Sequence, residues 1–112
     1  MGKLDNLNIY QKSLNLVKEI YTLIKNNQNL SKDFSLCDQI KRASVSVPTN
    51  ISEGYYRTSK QSKNYLHIAS GSANEVITLL KIIDLVYLID TNKLQGDFNY
   101  LTKQIMSFCE SF

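Results

Sequence analysis

The sequence predicts an all-α fold, an up-down-up-down antiparallel four-helix bundle that residues 1–112 form as a single domain. Apolar residues recur every three or four positions in four segments, and short polar turns separate these segments. The chain contains one Pro and four Gly, too few for a turn-dense β sandwich or barrel. Of its 112 residues 43% are hydrophobic, which is enough for one core and excludes a disordered tail.

The first predicted helix has two neighbouring apolar lines. The main line is Leu7, Tyr10, Leu14, Val17, Tyr21 and Ile24, and the second line is Leu16, Ile20 and Leu23. A helix at the edge of a bundle needs one apolar stripe about 100° wide. The wider face therefore predicts contact with a partner subunit as well as with the core. The helix is expected to end at residues 26–29, because Asn competes with helical backbone hydrogen bonds.

The second predicted helix begins near Ser31 or Ser35, where Asp33 suits the positive end of the helix dipole. Its apolar stripe is Leu36, Ile40, Ala43, Val47 and Ile51. Pro48 lies inside this stripe and removes one backbone donor. Because the stripe keeps its phase across Pro48, we expect a continuous helix that is kinked there and ends near Gly54.

A capping box formed by Thr58 and Gln61 predicts the start of the third helix. This helix is expected to run from about Ser59 to Ile89, and a turn at residues 90–92 follows it. Its two apolar lines are Tyr65, Ala69, Ser72, Val76, Leu79, Ile83 and Val86, and Leu66, Ala73, Ile77 and Leu80. The fourth helix carries one apolar line, Leu94, Phe98, Leu101, Ile105, Phe108 and Phe112.

The residue types that perform catalysis or bind metals form no recognisable pattern. His67 is the single histidine, which excludes multi-histidine metal sites and histidine-based triads. Cys37 and Cys109 match no metal or redox spacing and are expected to be small helix residues. Neither Glu53 nor Glu75 begins the Glu-x-x-His pair of di-iron bundles. We expect a protein that is not an enzyme and binds no metal or cofactor.

The sequence also predicts a cytoplasmic location. No segment approaches 18 uninterrupted apolar residues, the length at which a membrane span is expected. The first residues, Met1 to Asp5, lack the apolar core of a signal peptide.

A polar line runs along the second predicted helix beside its apolar stripe. Its members are Arg42, Ser46, Asn50, Glu53 and Arg57, at steps of four, four, three and four. On the third helix, small residues that allow a neighbouring backbone to approach lie beside a carboxylate, at Gly71, Ser72 and Glu75. The pattern predicts a polar network in which one arginine pairs with Glu53 or Glu75 and which fixes helix register and oligomeric state. The alternative is a catalytic carboxylate pair.

Residues 42–54 read RASVSVPTNISEG. They resemble the signature of the 23S rRNA intervening-sequence protein family, R-A-x-x-S-x-P-x-N-I-x-E-G, and match it at every fixed position. These positions include Arg42, Ser46, Pro48, Asn50, Glu53 and Gly54. Tyr55 and Arg57 resemble the aromatic and basic residues that follow the signature. A second similar block is Leu66, Ile68, Ala69, Gly71, Ser72 and Glu75, so the resemblance spans nearly the whole chain.

This resemblance implies a bacterial four-helix bundle without an established enzymatic activity. Members related to the accessory variability protein of diversity-generating retroelements are basic homopentamers that bind nucleic acid and associate with a reverse transcriptase. Other members are encoded within sequences inserted into 23S rRNA genes. The present chain has a net charge of +3, and a pentamer of it would carry about +15, enough for salt-dependent attraction to nucleic acid.

Two functions are therefore open. The first is a homo-oligomer, expected to be a pentamer, whose basic surface binds structured RNA or an RNA–DNA intermediate. The residues expected to form this surface are Lys41, Arg42, Arg57, Lys60 and Lys63, with Tyr55 and Tyr56 available for stacking on bases. The second is a scaffold that contacts a protein, such as a reverse transcriptase, without touching nucleic acid. A scaffold is expected to expose an apolar patch.

Overall fold

The structure, a computed structural model, describes residues 2–5 and 7–112, and these residues form helices and connecting turns without any strand. The helices are α1 (Gly2–Asp5), α2 (Asn8–Lys25), α3 (Gln28–Ser31), α4 (Phe34–Tyr55), α5 (Ser59–Tyr87) and α6 (Asn92–Glu110). The all-α prediction is confirmed, and the four long helices correspond to the four predicted ones. The short helices α1 and α3 were not predicted.

The four long helices pack as a closed cycle of neighbours. α4 packs against α2 and α5, and α6 packs against α5 and α2. The molecule measures 44 × 24 × 22 Å, and the 29 residues of α5 span about 44 Å at 1.5 Å each, so α5 runs the whole length. Within the described residues, none of the helices is long and apolar enough to cross a membrane.

The buried line of α2 combines residues of both predicted lines, because Leu16 and Ile20 come from the second line and Ile24 comes from the main one. Ile9, Ser13, Leu16, Ile20 and Ile24 are buried. Leu14 and Tyr21 of the predicted main line are 46% and 44% exposed. Ser13 is a polar residue in this buried line, so an apolar pattern does not identify it. Its hydroxyl donates to the Tyr10 carbonyl at 2.7 Å, and a polar group with such a partner can be buried.

The short helix α3 supplies a core residue that periodicity could not show. Leu30 is fully buried although its helix has only four residues. The Sγ atom of Cys37 donates to the Leu30 carbonyl at 3.1 Å. Burial raises the pKa of this thiol. Both cysteines, Cys37 and Cys109, are buried and free, as expected for small helix residues.

α4 begins at Phe34, between the two predicted starts near Ser31 and Ser35. Asp33 is its N-cap and accepts from the Leu36 N–H at 3.1 Å. The helix runs without interruption across Pro48 to Tyr55. The kink at Pro48 stays a prediction.

The turn between α5 and α6 is held by a carboxylate. α5 ends at Tyr87, two residues before the predicted end, and Leu88 follows with φ 56°, in the left-handed region. Asp84 accepts from the backbone N–H of Thr91 at 3.0 Å, from its hydroxyl at 2.5 Å and from Gln95 Nε2 at 3.1 Å. These bonds satisfy the polar groups of the turn and fix the start of α6.

The predicted capping box at the start of α5 is confirmed. The Gln61 N–H donates to the Thr58 hydroxyl, and the Gln61 side chain accepts from the Thr58 N–H, both at 3.4 Å. The box fixes the start of α5 at Ser59, and three residues, 56–58, separate it from the end of α4.

α4 and α5 approach each other most closely at Gly54. The buried hydroxyl of Ser62 donates to the Gly54 carbonyl at 2.6 Å. A Cβ atom at position 54 would lie 2.8 Å from Tyr65 Cβ and 3.4 Å from the Ser62 carbonyl oxygen. A side chain at this position therefore cannot fit unless the two helices move apart.

We expect Gly54→Ala to lower the free energy of unfolding by about 1–3 kcal/mol, because the added methyl overpacks the contact. Gly96→Ala is the matched control. A Cβ at position 96 would meet nothing within 4 Å. It is expected to raise the free energy of unfolding by about 0.5–1 kcal/mol through helix propensity. Urea unfolding measures both, and equal effects would contradict the close-approach argument.

A hydrogen bond joins the start of α4 to the end of α5. The Tyr87 hydroxyl donates to Asp33 Oδ2 at 2.6 Å. This bond, and then the Leu36 N–H, lowers the pKa of Asp33, and the same bond to Asp33 raises the pKa of Tyr87. The depressed carboxyl pKa stabilises the fold above the unfolded value of about 3.9, and this stability is lost as pH falls through the folded pKa.

Tyr87→Phe is therefore expected to lower the melting temperature at pH 7, and the difference from wild type should shrink below about pH 4. The raised tyrosine pKa acts on the other side, because its contribution is lost as pH rises beyond about 10. Tyr100→Phe, on an exposed face of α6, is the control and should show no such pH dependence. Thermal melts from acidic to neutral pH decide this, and a constant difference would contradict it.

Candidate nucleic-acid interface

The α4–α5 connection brings five of the seven predicted binding residues together. We call this set the turn surface, and its members are Tyr55, Tyr56, Arg57, Lys60 and Lys63. Tyr56 is 72% exposed, and its ring meets that of Tyr55 edge-on at 4.8 Å between centroids. The half-buried Tyr55 thus holds an exposed aromatic ring in place beside the cations.

The cations of the turn surface differ in their pairing. Arg57 is partly neutralised, because its guanidinium lies 3.4 Å from the Glu53 carboxylate and 5.6 Å from the centroid of the Tyr65 ring. Lys60 and Lys63 are exposed, and among the described residues neither forms an ion pair within 4 Å. These two ammonium groups are available to an anionic ligand.

The other two predicted binding residues lie elsewhere. Lys41 and Arg42 precede Tyr55 by 13 to 14 helical positions, or about 20 Å along α4. The Lys41 ammonium lies 5.0 Å from the centroid of the Tyr21 ring on α2. Arg42 Nε pairs with Asp38 at 2.9 Å, where both side chains are exposed. One continuous patch of all seven residues is therefore not present in a single chain.

Arg57 also lines a shallow cavity that the sequence analysis missed. Its volume is about 320 Å³, and its lining is Arg57, Gln61, Asn64, Tyr65 and Ile68. Tyr65 was assigned to an apolar line, yet it lies beneath the guanidinium of Arg57. The sequence held one indication of this, because Tyr65 lies one helical turn after the capping residue Gln61 and therefore near the start of α5.

The predicted polar network between α4 and α5 exists but uses hydroxyl and amide groups. The Ser46 and Ser72 hydroxyls lie 2.8 Å apart, across the two helices. Asn50 Nδ2 donates to the Ser46 carbonyl at 2.8 Å and to its hydroxyl at 2.9 Å. No arginine takes part in this link.

The charged pairing that was predicted is confirmed for Arg57 with Glu53 and not for Arg42. Arg42 pairs with Asp38 rather than with either glutamate. Arg57 does pair with Glu53, but both lie at the exposed end of α4 and join no second helix. Glu75 is exposed and forms no ion pair among the described residues.

The expected close approach at Gly71 is not found among residues 2–5 and 7–112. A Cβ atom there would meet nothing within 4 Å, and the close approach of α4 and α5 lies at Gly54 instead.

No feature of the described residues suggests a metal centre. His67 is exposed on α5, and no group of three His, Cys, Asp or Glu side chains is placed to hold a metal ion within residues 2–5 and 7–112. The turn surface offers instead cations and an aromatic ring, which bind anions and bases.

Comparisons with known proteins agree with the fold. The family model described as 23S rRNA-intervening sequence protein matches residues 5–107. A crystal structure from Bacteroides thetaiotaomicron, described as a protein with unknown function from the S23 ribosomal protein family, is similar with a TM-score of 0.81. The two sequences are 27% identical, and the match covers 90% of this chain and 97% of that one. No curated protein matches the chain.

Ser46→Ala tests the polar link between α4 and α5. It is expected to lower the free energy of unfolding by about 1 kcal/mol, because it leaves Ser72 and Asn50 without their shared partner. Glu53→Ala removes only an exposed ion pair and is expected to cost about 0.5 kcal/mol or less. Chemical unfolding of both variants measures the difference. A larger loss from Glu53→Ala would show that the charged pair carries the contact.

Proposed function

The chain belongs to the 23S rRNA-intervening sequence protein family, and we propose that it is a non-enzymatic homo-oligomer, a pentamer, that binds structured RNA through the turn surface. Each subunit is proposed to be an up-down-up-down antiparallel bundle with α4 kinked at Pro48. Because RNA is the proposed ligand, the proposed location is the cytoplasm.

The observation that carries this proposal is that the exposed ring of Tyr56 lies within seven positions of Lys60 and Lys63, which form no ion pair within the part of the chain that the structure describes. Nucleic-acid sites that tolerate many sequences combine cations that track the phosphates with aromatic rings on which bases stack. Between positions 54 and 67 the chain has three cations and no acid. Lysines in the first turns of a helix oppose its dipole, so Lys60 and Lys63 are unfavourable for α5 itself.

The order of contacts supports the proposed topology. Gly54 contacts Ser62 near one end of the α4–α5 pair, whereas Asp33 contacts Tyr87 near the other. Early residues of one helix therefore meet late residues of the other. The connections between successive long helices are short, as antiparallel neighbours require.

Assembly would strengthen the attraction to nucleic acid. A single chain has a net charge of only +3, and its turn surface is small. In a symmetric ring the turn surface would recur on every subunit at the same level, so one RNA could contact several copies. Linked contacts of this kind raise affinity without any new type of interaction.

The second candidate function, a scaffold for a protein such as a reverse transcriptase, is favoured by a different observation. Phe34, Leu85 and Leu88 are each about 80% exposed or more, at the ends of α4 and α5 that the Tyr87–Asp33 bond brings together. An exposed apolar cluster of this kind fits a protein partner better than it fits nucleic acid.

Binding of the purified, nuclease-treated protein to labelled structured RNA, single-stranded RNA and duplex DNA tests the proposal. We expect micromolar or tighter binding to structured RNA that weakens with salt. The double variant Lys60→Glu/Lys63→Glu should reduce affinity at least tenfold, and Tyr56→Ala should reduce it by about 5-fold to 100-fold through lost stacking.

The matched controls are Lys81→Glu/Lys103→Glu, which makes the same charge change on exposed positions away from the turn surface, and Tyr100→Ala, another exposed tyrosine. If the two double lysine variants lost RNA affinity equally, the effect would come from overall charge and not from the turn surface. Absence of binding at low salt would overturn the RNA proposal and leave the scaffold.

A further inference from the structure

The shallow cavity of about 320 Å³ beside the turn surface has the size and the chemistry of a site for one nucleobase. Its lining combines a cation, an aromatic ring, two amides and an aliphatic side chain, from Arg57, Tyr65, Gln61, Asn64 and Ile68. Its volume is at the lower end of the range for small-ligand pockets, about 300–1,000 Å³. Unpaired RNA bases are held by stacking on aromatic rings or guanidinium planes and by hydrogen bonds to their edges.

We propose that this cavity, which we call the base pocket, binds one unpaired adenine of the RNA that the turn surface holds. This inference deepens the proposed function and rests on it. Lys60 and Lys63 contact phosphates, which are the same in every sequence, whereas the base pocket recognises one base. The turn surface then supplies affinity, and the base pocket adds a preference for sequence.

Arg57 provides the surface on which the base stacks. Its Nε donates to the Glu53 carbonyl at 3.2 Å, its Nη2 lies 3.4 Å from the Glu53 carboxylate, and its guanidinium lies over the Tyr65 ring. These contacts hold the guanidinium in one position before any ligand arrives. Because Glu53 partly neutralises it, Arg57 is less suited to a phosphate than Lys60 or Lys63, but its planar group can still stack on a base.

Asn64 distinguishes adenine from guanine. It is exposed on α5, and among the described residues its side-chain amide forms no hydrogen bond. Asparagine is a poorer helix former than alanine, so helix stability does not account for its presence. Its amide can accept from N6 and donate to N7 of adenine, whereas guanine presents two acceptors at that edge.

The side chains beside Asn64 fit the rest of one nucleotide. Lys60 precedes Asn64 by one helical turn, so the two lie on the same face of α5 with their Cβ atoms about 5–6 Å apart. A phosphate held by Lys60 is therefore next to a base held by Asn64. Gln61 uses its carbonyl oxygen in the capping box, and its amino group has no acceptor within residues 2–5 and 7–112. That amino group can donate to a ribose or phosphate oxygen.

Hairpin RNAs that differ at one loop position test the base pocket. Each has a loop of uridines with adenosine, guanosine, cytidine or uridine at its centre, and fluorescence anisotropy measures the dissociation constants at one salt concentration. Wild type is expected to bind the adenosine hairpin about 5-fold or more tightly than the others, since a bidentate contact discriminates by at least that much. A hairpin with 7-deazaadenosine, which lacks the N7 acceptor, should lose this preference.

Asn64→Ala should bind every hairpin with the affinity that wild type has for the uridine hairpin. Replacing adenosine by 7-deazaadenosine should then cause no further loss, because the group that contacts N7 is already absent. The matched control Asn99→Ala removes another exposed asparagine, on α6, and should keep the preference for adenosine. Circular dichroism checks that both variants keep the helix content of wild type.

Arg57→Lys separates stacking from charge, because it keeps the positive charge but loses the planar group. Its affinity for the adenosine hairpin should fall by about 5-fold or more through lost stacking. The slope of log affinity against log salt should stay that of wild type, since the number of cations is unchanged. Lys63→Gln is the comparison and should reduce that slope. A reduced slope in Arg57→Lys would show that Arg57 contacts a phosphate and would overturn its stacking role.

The outcomes separate the base pocket from the proposed function. Wild type that binds none of the hairpins at low salt would overturn both. Wild type that binds all four equally, or prefers a base other than adenine, would overturn the base pocket and leave the turn surface as an RNA site. A preference for adenosine that persists in Asn64→Ala would place base recognition elsewhere and would also overturn the base pocket.

Discussion

The close contact of α4 and α5 at Gly54 is the constraint on which the other features depend. Because Gly54 has no Cβ, Tyr65 Cβ and the Ser62 backbone can occupy the space beside it, and the Ser62 hydroxyl donates to the Gly54 carbonyl at the end of α4. This contact sets the level of α5 relative to α4 along their whole length. It brings Ser72 opposite Ser46 and Tyr87 opposite Asp33. It also forces the chain to turn within three residues, which concentrates Tyr56, Lys60 and Lys63 at one end of the bundle.

The polar residues of the signature segment, residues 42–54, fall into two groups because charged side chains cost more to remove from water than neutral ones. Ser46 and Asn50 are neutral, so they can be half-buried between helices at little cost once their hydrogen bonds are made. Arg42 and Glu53 carry charge and lie on the solvent side of the same helix, where ion pairs contribute little to stability. Register between α4 and α5 is therefore fixed by small neutral groups and a glycine. The charged residues remain free to act on the surface.

Periodicity and capping chemistry could predict most of the helices, but not which side of α2 faces the core. The four long helices, the Asp33 region as the start of α4 and the capping box at Thr58 follow from local signals. On α2 the buried line includes Ser13 and joins residues of both predicted lines, so hydrophobicity alone could not identify it. Leu30 escaped prediction because a four-residue helix has no period. At the candidate site, local sequence grouped the turn surface correctly. It could not foresee that Arg42 would pair with Asp38, since several acids lie within reach of an arginine on a helix.

The apolar side chains that α2 and α5 expose bear on the same question as the turn surface, namely whether the chain acts alone or as one of several copies. A bundle of this size has one core, and a single stripe from each long helix fills it. Leu14, Ile68 and Ile82 lie outside that core, and each exposes apolar area to water, which does not stabilise the single chain. In the proposed homo-oligomer, burial between copies would remove that cost, and symmetry would repeat the turn surface on every subunit. The modest charge of one chain then ceases to limit nucleic-acid binding, since affinity would come from repetition of a small site rather than from a strongly basic face.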